Sequence, residues 1–178
     1  MSDAVEELLA DAYHARREHR FDDAKSALGE ALHNCRHGEV PTDLARVLTA
    51  LGQIERDLKN TEVARKHYEE AVAIYREHGE ALRLAHSVRH VGDIYLEEGQ
   101  FAPAETCYEE ALKIYRANVN TTPLDLANTL RGFAILKQEL AQNDEARQLW
   151  AEARDLYESV NVEAGVAESA RRIAQLQN

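Results

Sequence analysis

Thr49, Arg89, Arg131 and Arg171 stand 40, 42 and 40 residues apart. Three of the four are arginines, whose planar guanidinium forks pair with carboxylates through two parallel hydrogen bonds. On one shared face they predict a ladder that captures an acidic peptide. Arg46, Gln53, Arg56, His86, His90, Asn128 and Arg172 add polar groups around them, and Asp93 is the acidic exception. The competing reading is a set of solvated side chains paired with nearby Asp and Glu, each exposed pair contributing only ~0–1 kcal/mol.

Other constellations are thinner. His86 and His90 lie four residues apart with Asp93 one turn on, a spacing that suits a transition metal on a helix. The general-base glutamate of zinc proteases is missing between them and no fourth ligand is identifiable. Polar contacts, or a pH-sensitive one, are expected instead. His33 and His37 repeat the spacing with less around them. Cys35 and Cys107, 72 residues apart, form neither a disulfide framework nor a metal cluster and read as buried thiols. The chain carries no GxSxG, no phosphate-cradling glycine loop, no HExxH and no CxxC. No catalytic residue, metal or cofactor is expected, and the chain reads as a binder rather than an enzyme.

The elements that must position these groups are helices. The 178 residues are 44% hydrophobic, with only 8 Gly and 3 Pro, which favours helix over sheet. No apolar run approaches the ~18 residues of a membrane span. The start, MSDAVEELLADAYH, is acidic and lacks the layout of a signal peptide, so a cytoplasmic location is expected. A formal net charge of −11 argues against nucleic acid as a general partner. The carboxylates concentrate at outer positions of alternate helices, among them Glu69, Glu70, Glu77, Glu109, Glu110, Glu152, Asp155 and Glu158. A basic inner face is thereby set against an acidic outer one.

One repeat register fits the whole chain. LARVLTALGQIE from Leu44 aligns with segments starting at Leu84, Leu126 and Val166. AKSALGEALHNC from Ala24 aligns with segments starting at Ala64, Ala104 and Ala146. Small residues recur in the first helix of each unit (Ala12, Gly52, Gly92, Ala134, Ala174). In the second helix a small–large–small pattern recurs: Ala64, Tyr68, Ala71; Ala104, Tyr108, Ala111; Ala146, Trp150, Ala153. Gly inside a helix costs about 1 kcal/mol against Ala, so its placement predicts close helix–helix approach. Periodicity and punctuation predict nine helices, at 3–18, 21–37, 42–58, 61–77, 80–98, 101–117, 123–140, 143–159 and 163–176. Gly38, Gly79, Asn118 and Asn161 mark breaks where Gly or Asn tolerates left-handed backbone.

These small–large–small positions resemble the tetratricopeptide repeat, over nearly the whole chain. The first unit departs, with Ala12 and Leu28 where Gly and an aromatic are usual, and the period of 40–42 exceeds the usual 34. The longer form is similar to the repeats of kinesin light chain, of polarity adaptors that bind G-protein regulatory motifs, and of bacterial peptide-sensing regulators. The resemblance implies an all-α solenoid of about four and a half antiparallel helix pairs in a right-handed superhelix. The first helix of each pair would line a concave groove. It implies a single domain over 1–178, with units 3–40, 41–79, 80–120 and 121–162 and a capping helix at 163–176. In that cap Val166, Ala170, Ile173 and Leu176 are expected to face inward, and Glu168, Arg171, Arg172 and Gln175 outward.

The resulting expectation is an adaptor that binds an acidic peptide or protein segment in its groove. The alternatives are a self-associating scaffold and the ligand-sensing repeat domain of a regulator. Homo-oligomerisation would follow if Leu8, Leu9, Phe21 and Leu28 left apolar surface open at the first unit.

Overall fold

The computed structural model describes residues 3–36 and 40–176. Among these, nine helices follow in order: α1 Asp3–Arg17, α2 Phe21–Arg36, α3 Pro41–Asp57, α4 Thr61–His78, α5 Ala81–Glu97, α6 Phe101–Ala117, α7 Pro123–Glu139, α8 Asn143–Ser159 and α9 Glu163–Gln175. Each end lies within one residue of the sequence expectation. His37 and Gly38 lie outside the described residues. Two of the starts carry proline at the first helical position, Pro41 and Pro123. There the missing N–H would have had no intrahelical partner anyway. Thr122 caps α7 by accepting from the Asp125 N–H at 3.1 Å.

The turn inside each helix pair is one recurring device. His19, Lys59, Gly99 and Ala141 occupy equivalent positions, and all have left-handed backbone, with φ of 59°, 66°, 71° and 57°. The next residue's N–H closes a bond five residues back: Arg20 to the Ala15 carbonyl, Asn60 to Glu55, Gln100 to Tyr95 and Gln142 to Lys137, at 2.8–2.9 Å. That closure satisfies carbonyls left open at the helix end. Only one of the four is glycine, so at the other three composition did not mark the left-handed residue. Between pairs, Gly79 and Asn161 take the expected left-handed conformation. Asn118 does not: its φ is −110°, and the chain crosses in extended form. The extra residues of that connection let it turn without a left-handed residue.

The chain divides into two compact units, Met1–Ser87 and Val88–Asn178. In the first, α1 packs on α2, α2 on α3, α3 on α4, and α1 also meets α3. Its core joins Val5, Ala12, Ala24, Leu28, Ala31, Val47, Leu51 and Ile54. Leu28 is fully buried and Leu8, Leu9 and Phe21 pack half-buried against this core, so the expected open apolar surface is not there. In the second unit α6 packs on α7, α7 on α8 and α8 on α9. Its cores join Tyr108, Leu112, Leu130, Phe133, Leu136 and Tyr157, and Ala134, Ala146 and Trp150.

Aromatics seated on glycines set the helix spacing. A Cβ on Gly52 would stand 2.9 Å from the Tyr68 ring. Tyr108 lies against Gly92 of α5 and, more tightly, Gly132 of α7, where an added Cβ would come within 2.7 Å. Tyr157 fills the space over Gly165 in the same way. The predicted close approach at Gly52 and Gly92 is therefore present. Gly132 and Gly165 extend it to the preceding pair's tyrosine. Such fully buried rings each remove a large apolar area from water.

The last helix corrects one expectation. Ala170 is exposed, and α9 instead buries Gly165 and Ser169, with Val166, Ile173 and Leu176 half-buried. Glu168 and Arg172 are half-buried rather than outward. The helix turns toward Tyr157, whose ring admits only glycine at position 165. Ser169 then satisfies its buried hydroxyl on the Gly165 carbonyl at 2.8 Å.

Candidate functional site

The polar positions of the first helices are joined to one another more closely than their spacing suggests. In the first unit Arg46 of α3 forks onto Glu6 of α1, with Nη1 at 2.8 Å and Nη2 at 3.1 Å from the two carboxylate oxygens. Arg16 donates to Asp57 at 2.6 Å and to the Gln53 side-chain oxygen at 3.2 Å. The Gln53 amide in turn lies 3.3 Å from His86 Nε2. Thr49 donates to its own helix at Ala45 and touches the Ser87 hydroxyl at 3.3 Å. Arg56 is half-buried on α3. The Glu6 hydrogen bond raises the Arg46 guanidinium, and the same contact lowers the Glu6 carboxyl.

In the second unit Arg89 is buried. Its Nη1 donates to Asp93 at 3.0 Å and its Nη2 to His90 Nε2 at 2.8 Å. An arginine can only donate, so His90 accepts there, and its Nδ1 faces Asp93 at 3.4 Å. The second Asp93 oxygen accepts from the Tyr108 hydroxyl at 2.8 Å. Asp93 thus organises Arg89, His90 and Tyr108. His90 has one ring nitrogen directed at a guanidinium, an arrangement that does not suit a metal ligand. Among the described residues no group of three or more His, Cys, Asp or Glu is placed to hold a metal ion. Asn128 accepts from the Tyr157 hydroxyl at 2.8 Å.

Arg131 is held differently. Its Nε and Nη2 donate to the two oxygens of Glu168 on α9, at 2.7 and 3.1 Å. The pair is partly open, with side-chain exposures of 42% and 21%. The Arg131 hydrogen bonds hold the Glu168 carboxyl below the usual glutamate range, and Arg172 and Arg171 add to the pull at longer range. Arg172 lies over the Trp150 ring, 5.8 Å from its centroid, with its Nε buried and without a partner among the described residues. Arg171 is exposed and makes no ion pair with a described residue. One arginine therefore binds the Glu168 carboxylate, and two more stand three and four residues further along α9, on the same side of the helix.

Thr49, Gln53, Arg46, Asp93, Arg131 and Asn128 act first as stitches between neighbouring helices, and Arg89 is bound within its own helix. Glu168 was not anticipated as a site residue. It stands two places after Val166, the column of Arg46, His86 and Asn128, and that alignment was the available signal. Trp150 was seen as packing only. Its ring is the shelf under Arg172, and its Nε1 donates to Gln138 at 2.8 Å.

Antiparallel helix pairs with small–large seams and a polar first-helix face define a helical-repeat interaction module. Residues 43–117 match the tetratricopeptide repeat family model. Solved structures agree on the fold. BtubC (BKLC) from P. vanneervenii superposes with a TM-score of 0.72 at 19% identity, over 98% of this chain and 81% of that one. The apo form of RapI gives 0.84 at 16%, over 94% and 60%. Aspartyl phosphate phosphatase F from Bacillus subtilis gives 0.75 at 18%, over 98% and 47%. The chain thus spans about half to four-fifths of these proteins. No curated protein matches it in sequence. Among the described residues no helix is long and apolar enough to cross a membrane.

Proposed function

We propose that this protein is a cytoplasmic adaptor, not an enzyme, that binds an Asp- and Glu-rich segment of a protein partner on the first-helix face of its repeats. The carrying observation is the excess of cations around Glu168: Arg131, Arg171 and Arg172 against one carboxylate. A cation cluster on a protein of net charge −11 steers an acidic partner to one face. Within the same unit Arg89, His90, Asp93 and Asn128 shape the surface around it, and Arg46, Thr49, Gln53, Arg56 and His86 form the corresponding polar face of the first unit.

The test compares Arg171→Glu with Arg46→Glu, measuring affinity for a fluorescein-labelled hexaglutamate peptide. Arg171→Glu weakens binding about tenfold, equivalent to ~1.4 kcal/mol. Arg46→Glu, on a face whose charges already balance, leaves it within about twofold. Equal affinity in the wild type and Arg171→Glu would refute the reading.

A further inference from the structure

We infer that Arg131, Arg171 and Arg172 form a carboxylate-binding site in which Glu168 of the chain itself occupies the place of the ligand. This rests on the acidic-segment reading above and adds how the site works. The geometry at Arg131 is that of a recognition fork: Nε and Nη2 each meet a different oxygen of one carboxylate, at 2.7 and 3.1 Å. Arginine meets an aspartate or glutamate of a partner through the same two donors.

Three further features make the occupant exchangeable. First, the pair is accessible, with 42% of the Arg131 side chain open to solvent. The Arg89–Asp93 pair on α5 is closed by comparison, at 11% and 13%, and has the Tyr108 hydroxyl locked onto it. Second, Glu168 neutralises only one of three cations, so a second carboxylate adds attraction rather than repulsion. Third, Arg172 lies over the Trp150 ring and its Nε lacks a partner among the described residues. Glu168 sits on α9, in the column where Arg46, His86 and Asn128 present basic or neutral groups. There it shields the cations in the absence of ligand. A partner carboxylate takes the Arg131 fork, and Glu168 turns out to water or pairs with Arg171. The site then has a built-in competitor that sets a threshold on how acidic a segment must be: an isolated carboxylate does not displace Glu168, and several in a row do.

The probe is a capped, fluorescein-labelled hexaglutamate peptide, with fluorescence polarisation on the full chain. Glu168→Gln removes the competitor's charge and strengthens binding about tenfold. Adding Arg131→Gln abolishes that gain. A Glu168→Gln protein that binds no tighter than the wild type, or a gain that survives Arg131→Gln, overturns the exchange. Far-ultraviolet circular dichroism checks that the variants keep their helices. A second measurement needs no variant: the carbon resonance of the Glu168 carboxyl moves when hexaglutamate saturates the wild type. A resonance that stays put overturns the exchange while leaving the binding reading intact if Arg171→Glu still weakens the probe. Failure of hexaglutamate to bind either wild type or Glu168→Gln overturns both.

Discussion

The two units place opposite charges at the same point of the repeat. In the first, Lys25 of α2 reaches Glu55 of α3 at 2.6 Å, and Asn60 donates to the other Glu55 oxygen at 2.7 Å. In the second, Glu105 of α6 meets Lys137 of α7 at 2.6 Å, with Glu145 at 2.9 Å. Lys25 and Glu105 follow the aligned alanines Ala24 and Ala104, and Glu55 and Lys137 occupy one column of the next helix. The geometry of the pair is shared and its polarity is reversed. The acceptor or donor on the first helix is buried in both cases, at 4% and 6% exposure, so a mismatched pairing of repeats would bury two like charges. The same contrast holds on the first-helix faces. The first unit closes Arg46 on Glu6 and Arg16 on Asp57, while the second leaves Arg171 and Arg172 in excess over Glu168. Packing defines the frame in both units, and charge differentiates them.

The largest expected effect tests the shared frame. Tyr68→Ala in the first unit and Trp150→Ala in the second each cost ~3–5 kcal/mol, read as a fall in the urea midpoint. Similar losses support one packing rule for both units. Trp150→Phe removes the hydrogen bond to Gln138 together with part of the buried ring and costs less, ~2 kcal/mol.

A middle-sized effect tests the reversed polarity. Lys25→Glu sets two carboxylates together at a buried site and costs ~2 kcal/mol, below the full cost of a broken buried pair because Lys25 is 42% exposed. Adding Glu55→Lys recreates the arrangement of the second unit and recovers most of the loss, a coupling read from the double-mutant cycle. No recovery would mean that Asn60 and its surroundings, rather than the charge order, select the carboxylate.

The smallest effect is the acid limb. Burial pushes the Glu55 carboxyl up, but the hydrogen bonds from Lys25 and Asn60 outweigh it and leave it below the ordinary range. Glu168 is held low chiefly by Arg131. A depressed folded carboxyl contributes stability above its unfolded pKa of ~4.3, and that stability is lost as pH falls through the folded value. Arg131→Gln should therefore flatten the fall in urea midpoint between about pH 5 and pH 3 attributable to Glu168, by a few tenths of a kcal/mol given its partial exposure. Lys25→Met does the same for Glu55. A wild-type acid slope in either variant would contradict the assigned partners.

Much of this was legible in advance. Helix ends came from proline, capping residues and periodicity, all of which act within a few residues. The aromatic–glycine seams were visible because a fixed spacing recurs in every copy, and repetition multiplies a weak signal. The left-handed residues at His19, Lys59 and Ala141 were not, since that conformation is imposed there by the closing hydrogen bonds and not by the residue. The register of α9 was also misjudged. Its apolar residues gave a plausible inward face, but the Tyr157 ring decided which side could approach.

By itself the sequence determined the repeat, its period, the helices and the columns in which polar residues stand, because these depend on local spacing. Which polar residue in a column is bound, and which is left open, was decided only in three dimensions. Arg89, Arg131 and Arg171 share one column, yet one is buried on Asp93, one forks onto Glu168 and one is exposed. Their partners come from their own helix, from the next first helix, and from no described residue. A guanidinium spans several ångströms, so whether it meets a carboxylate depends on how neighbouring helices are set by rings such as Tyr108 and Tyr157 lying on Gly132 and Gly165.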